Sequence, residues 1–241
     1  MPNLAPEAAT FTPWAEHLAA FEWDQGDHVT LIGPTKCGKT TLARAILPER
    51  RHVLVLACKP RSPSMESYAT QAGYRIIRRW EDIGHHERED RVILWPRPKG
   101  WGGDPDEFEA RQYEEFRECM RDLYEVGGWT LYVDELSYIS EYLGLDRELN
   151  RLWLQGREIP LTLVVAMQSP AYVPRYAYDQ IQHVYLWRNR DLRRIKTLAE
   201  LSGALDRDTL ETGLAALEPH EVLYVDAFGR ARRTMVDVNA S

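Results

Sequence analysis

Residues Val29–Thr41 read VTLIGPTKCGKTT, a short β-rich run that enters a complete G-x-x-x-x-G-K-[ST] pattern between Gly33 and Thr40, with a helical stretch beginning at Lys39. A strand, this loop and a helix in immediate succession make a phosphate cradle. Gly33 and Gly38 let the backbone turn its N–H groups inward, and the positive end of the helix aims at the same point. The expected nucleotide contacts are therefore Gly33, Pro34, Thr35, Lys36, Cys37, Gly38, Lys39, Thr40 and Thr41. Lys39 would reach the β and γ phosphates of ATP, and the Thr40 hydroxyl would join the shell of a Mg²⁺ ion. A chance glycine loop is the alternative, but it would have no reason to sit between a strand and a helix.

On either side the chain alternates β-rich runs with helical stretches. The runs are Val53 to Ala57, Tyr74 to Ile77, Val92 to Trp95, Thr130 to Val133, Leu161 to Ala166 and Val184 to Trp187. HVLVLA and LTLVVA are apolar on both faces, as strands covered on two sides are. The pattern predicts an α/β fold with a central, mostly parallel sheet flanked by helices. Thr12 and Pro13 precede Trp14, Leu18 and Phe21 at helical spacing and predict a capped N-terminal helix. Near the other end Val222 to Val225 and Ala231 to Met235 flank Phe228-Gly229 and predict a hairpin that extends the sheet. The chain reads as one domain over 1–241: a flanking helix in 1–27, the core in 28–187, and helices with a hairpin in 188–241.

The strand LYV ends in two adjacent carboxylates, Asp134 and Glu135. Asp134 is placed to hold Mg²⁺ through water, while Glu135 can orient and deprotonate an attacking water. Two acids that merely begin a loop are the alternative reading. The strand Leu161 to Ala166 runs into Met167-Gln168-Ser169-Pro170. It is expected between the phosphate-loop strand and the Asp134 strand, so that the Gln168 amide faces the γ-phosphate and both donates and accepts. A solvated Gln in a turn before Pro170 remains the alternative.

Taken together, GPTKCGKT, LYVDEL, a helix ending in QGRE, and LTLVVAMQSP resemble the FtsK/HerA branch of P-loop ATPases over about Val29 to Trp187. The resemblance implies a P-loop NTPase fold of the RecA-like (ASCE) type, ATP with Mg²⁺, and a homo-oligomeric ring acting on double-stranded DNA. It also implies that Arg157 is an arginine finger in a neighbouring subunit's site. The branch commonly has a small residue where this chain has Met167, and a basic residue where it has Glu158. The chain's size and its stretch AYVPRYAYDQIQHVYLW are most similar to small phage or mobile-element members. That similarity implies DNA packaging or translocation, with a viral portal or capsid component as a further partner. From the lay of the sequence, Arg157 is expected at the crevice edge of the sheet. A P-loop ATPase acting on protein, or a slow ATP-gated regulatory module, is the alternative function.

With 30 Lys+Arg against 37 Asp+Glu the net charge is −7, which excludes a protein that coats nucleic acid by bulk charge. The distribution is uneven: 10 basic against 6 acidic in 51–100, 4 against 14 in 101–150, and 8 against 4 in 151–200. Within the basic windows, Lys99 and Trp101 in the loop RPKGWGGDP, and Arg193 and Arg194 in RNRDLRRIK, are candidate DNA contacts. Arg230, Arg232 and Arg233 are either DNA contacts or charged edge protection. His85-His86-Glu87 has no further ligand at metal spacing. No apolar run is long enough for a membrane span, and no signal peptide is evident, so a cytoplasmic protein without membrane partners is expected. Cys37, Cys58 and Cys119 form no CxxC pair and fit a reducing compartment. Cys37 lies where a helix end can lower a thiol pKa, yet it is assigned no catalytic role.

Overall fold

Every apolar run of the alternating pattern becomes a strand of one sheet. The computed structural model describes residues 9–84, 90–97, 104–172, 180–189, 196–199 and 207–239. In chain order the elements are β1 (Thr10–Phe11), α1 (Trp14–Ala19), β2 (His28–Ile32), α2 (Lys39–Ile46), β3 (Val53–Leu56), α3 (Pro63–Gln71), β4 (Arg75–Ile77) and β5 (Arg91–Leu94). They continue with α4 (Pro105–Val126), β6 (Thr130–Val133), α5 (Asp146–Gln155), β7 (Thr162–Met167), β8 (Ile181–Trp187), α6 (Arg207–Ala216), β9 (Glu221–Asp226) and β10 (Ala231–Met235). The ten strands lie in the order β1-β10-β9-β8-β2-β7-β6-β3-β5-β4. Pairings from β8 across to β4 are all parallel, whereas β8–β9 and β9–β10 are antiparallel. The fold is therefore an α/β P-loop NTPase fold in which a hairpin extends a parallel sheet.

Strand periodicity divides the core. Side chains alternate across a strand, so Leu54, Leu131, Val133, Leu163 and Val165 face one side with Phe116 and Met120 of α4 and Leu149 and Leu152 of α5. Val53, Val55, Tyr132, Val164 and Ala166 face the other, with Leu42 and Ile46 of α2 and Met65 and Tyr68 of α3. Both faces of the central strands are buried, which is why their sequences are continuously apolar. Each fully buried Leu or Val contributes about 1.5–3 kcal/mol.

The order places β7 between β2 and β6, as the sequence predicts. The hairpin also forms, with Ala231 opposite Val225 and Met235 opposite Glu221. One expectation fails at the N-terminal helix. Thr12 does not cap α1; Pro13 holds the cap position without a side-chain bond. The Thr12 N–H instead donates to the Arg233 carbonyl at 2.8 Å, continuing the short parallel pairing of β1 with β10. That pairing covers the hairpin's outer strand, so the arginines are not bare edge guards. Arg233 reaches Glu221 and the Ala9 carbonyl, Arg232 reaches the Ala20 carbonyl, and Arg230 is held by Asp226.

Candidate active site

At the C-terminal end of β2 the chain leaves the sheet at Gly33. A Cβ there would come within 2.7 Å of the Trp187 Cβ and 2.8 Å of the Cys37 sulfur, so glycine is required by close approach. Lys36 and Gly38 then take positive φ values of 64° and 112°, and α2 begins at Lys39. Lys36 in the left-handed region carries a backbone strain of about 1 kcal/mol, tolerated because the loop on either side dictates it. Alternating signs of φ turn successive N–H groups toward one concavity, and the N-terminus of α2 closes it.

β6 and β7 deliver the remaining groups to the same edge. The Thr40 hydroxyl donates to Asp134 Oδ1 at 2.9 Å, and the Tyr132 hydroxyl donates to the same oxygen at 2.5 Å. Tyr132 is fully buried, and burial together with the adjacent carboxylate keeps its phenol protonated and donating. Lys39 Nζ donates to the Gly33 and Pro34 carbonyls, both at 2.7 Å. Burial pulls the Lys39 ammonium below its ordinary range, opposed by Cys37, Asp134 and Glu135. Glu135 and Gln168 line one cleft of about 330 Å³ with Thr35, Lys36, Lys39 and Thr40. A contiguous cleft of about 310 Å³ lies beyond Thr40, Asp134 and Glu135, bounded by Arg44 and Ser62.

These donors suit a small hard cation. Thr40 gives its one proton to Asp134 and keeps lone pairs for a metal, and Asp134 adds carboxylate oxygen. Mg²⁺ takes few protein oxygens and keeps several waters, so Thr40 can bind it directly and Asp134 through one of those waters, with phosphates completing the octahedron.

Not every expectation lands here. Arg157 lies at the opposite edge of its own sheet, exposed, with its Cα 3.3 Å from where a Cβ on Gly26 would stand, just before β2 begins. The reason is topological: α5 returns the chain from the C-terminal edge of β6 to the N-terminal edge of β7, and Arg157 precedes β7. Arg157 is not among the residues that line the cleft of its own chain. Cys37 also departs from expectation, because burial pushes its thiol up and Lys39 only partly opposes this. All three cysteines are free. Lys99, Trp101, Arg193 and Arg194 lie outside the described residues, as do His85, His86 and Glu87.

Four residues at the cleft were not anticipated: Lys59, Ser137, His220 and Val238. Lys59 follows β3 and Ser137 follows Glu135, so both stand at the edge where parallel strands end. His220 could have been found by noting that β9, antiparallel to β8, must start at that edge. Behind the carboxylates, Gln112 of α4 donates to the Ala57 and Cys58 carbonyls and accepts from the Tyr138 hydroxyl, tying the segment after β3 to the turn after Glu135.

No family model matches the sequence, and no curated protein matches it. Solved structures do. The chain is similar to the genome packaging NTPase B204 of Sulfolobus turreted icosahedral virus 2 in complex with AMPPCP, at 14% identity and a TM-score of 0.56, over 88% of this chain and 98% of that one. VirB4 of Thermoanaerobacter pseudethanolicus gives 10% identity and a TM-score of 0.61, over 88% and 89% of the two chains. The cytoplasmic domain of the type VII secretion ATPase EccC from Thermomonospora curvata gives 14% and 0.50, over 88% of this chain and 25% of that chain. At these identities the likeness is one of fold: the chain shares the P-loop α/β fold of these solved structures.

Proposed function

We propose that this protein hydrolyses ATP with Mg²⁺ and, as a homo-oligomeric ring, uses the cycle to move double-stranded DNA in viral genome packaging. The observation that carries the hydrolytic part is the 2.9 Å bond from Thr40 to Asp134, which joins the phosphate loop to the carboxylate pair across one cleft. Mg²⁺ held by Thr40 and Asp134 would offset charge on the β and γ phosphates. Lys39 binds the same phosphates, Glu135 positions a water and takes its proton, and Gln168 orients that water against the γ-phosphate. Arg157 of a neighbouring molecule would add a guanidinium to the positive charge that Lys36, Lys39 and Lys59 bring from the cleft's own chain.

The DNA track is supported by the likeness to a genome packaging NTPase. The likeness to a secretion ATPase favours a second reading, a motor acting on protein. Turnover measured with and without linear duplex DNA separates them: several-fold stimulation supports DNA, while unstimulated turnover favours protein. Under the DNA reading binding is sequence-independent, and log K falls by about 0.9 per log unit of salt for each phosphate neutralised. Replacing Arg193 and Arg194 by Ala should make that slope shallower; an unchanged slope would point to Lys99 and Trp101.

A further inference from the structure

The cleft has a second wall that the phosphate chemistry does not use. The residues after β10 cross the phosphate loop: Val236 is buried, with its Cγ1 3.1 Å and its Cβ 3.3 Å from where a Cβ on Gly38 would stand. The Val236 N–H donates to the His220 carbonyl at 3.0 Å, which ties this segment to the turn before β9. His220 holds a φ of 65°, in the left-handed region where His, with Asn and Asp, is among the enriched non-glycine residues, and its Nδ1 lies 3.3 Å from the Cys37 carbonyl inside the loop. A carbonyl only accepts, so that contact requires the proton on Nδ1, and in the neutral imidazole Nε2 is then an acceptor. His220 and Val238 both line the cleft.

Sheet order tells which part of a ligand meets this wall. The carboxylates and Gln168 come from β6 and β7 on one side of β2, while His220 and Val238 come from β9 and β10 on the other. With the terminal phosphate held at the carboxylates, the other end of the nucleotide points toward the strap. We propose that His220 and Val238 form the nucleoside half of the site: Val238 packs on the purine face, and His220 lies against the ring or accepts a hydrogen bond from the ribose or an exocyclic amine. This rests on the nucleotide reading of the phosphate loop and assigns it a base-binding partner built by the hairpin.

The test compares two ligands that differ only in having a nucleoside. Calorimetry with MgATP and with magnesium tripolyphosphate should be run on the wild type, His220→Gly, His220→Asn, Val238→Asp and Lys39→Ala, with thermal unfolding as a folding control. Gly and Asn both accept the left-handed backbone at 220, so those variants keep the turn. Loss of ring contact is expected to weaken MgATP about tenfold in His220→Gly and in Val238→Asp, while tripolyphosphate binds as in the wild type. Lys39→Ala should weaken both ligands. Unchanged ATP affinity in folded His220 and Val238 variants overturns the proposal. So does equal weakening of both ligands, which would make the strap a brace for the loop alone. A wild type that binds tripolyphosphate and ATP equally also overturns it, and one that binds neither overturns the nucleotide reading itself.

Discussion

The two ends of β2, a strand of only five residues, are built on opposite rules. At the Ile32 end Pro34, Thr35 and Lys36 are exposed, and the polar side chains of Lys39, Thr40, Asp134 and Glu135 surround a cleft. At the His28 end the polar groups of β2 and the turn before it are turned onto the chain itself. His28 is fully buried; its Nδ1 accepts from the Leu163 N–H at 3.1 Å, and its Nε2 meets the Trp153 carbonyl at 3.0 Å. Gln25 donates to the Trp129 carbonyl at 2.7 Å, the Gly26 N–H donates to the Thr162 hydroxyl at 2.8 Å, and the His28 N–H donates to Gln182 at 2.7 Å. Polar groups spent on the chain itself hold the fold, whereas polar groups facing a cleft are available for chemistry. Substitutions at the first end should cost turnover, and those at the second should cost stability.

Arg157 crosses that division and breaks the comparison most sharply. It stands at the closed edge, yet it is exposed and makes no side-chain hydrogen bond or ion pair among the described residues. As a finger for a neighbour, Arg157→Ala should lose about 10³ to 10⁵ in turnover in the assembled protein, with no change in unfolding temperature. Mixing it with Glu135→Gln should restore part of the activity at interfaces that pair an intact Glu135 with an intact Arg157. Full activity of Arg157→Ala, or no recovery in verified mixed oligomers, returns it to the surface.

At the open end, Glu135→Gln should lower turnover about 10² to 10⁴-fold while leaving ATP affinity and urea stability intact; wild-type turnover in that variant would remove Glu135 as the base. At the closed end, Gly127→Ala should do the reverse. The added methyl would meet the Ile159 carbonyl oxygen at 2.1 Å, and the backbone φ is 66°. A loss of about 3 kcal/mol in urea unfolding is expected, with KM for ATP unchanged in the folded fraction.

The smallest effect is a dependence on pH. Burial lowers the His28 pKa from 6.5 to about 4, with Trp153 and Asp27 opposing and Arg157 adding to the shift. The unfolded chain binds that proton below pH 6.5 and the folded chain does not, so stability is fully present above pH 6.5 and is lost as pH falls from 6.5 toward 4. The loss should be about 1 to 3 kcal/mol, and His28→Gln should flatten the curve in that window.

Much of this was legible because it depends on local pattern. GPTKCGKT, the acids after LYV and the Gln after LTLVVAM each mark the end of an apolar run, and parallel strands bring such ends to one edge. Arg157 was misplaced for a reason equally physical. The helix α5 carries the chain to the other edge of the sheet before β7 begins, and the order of motifs along the sequence does not state which edge a residue between them meets. His220, Val238 and the Tyr132 contact to Asp134 depend on antiparallel return and on side-chain packing, which no local pattern states. Thr12 has the residue type of a helix cap, but a ladder bond to Arg233 claims its backbone first.

The pairing of β2 carries a consequence for biosynthesis. Val29 pairs with Val164 on one side and His183 on the other, and neither neighbour is close in sequence. A ribosome adding about 5–20 residues per second leaves on the order of ten seconds between the emergence of β2 and that of both partners. During that interval the strand is an apolar segment without a sheet, and the loop after it has no Trp187 to close against. A chaperone that holds apolar strands would act in that interval, before β8 is complete.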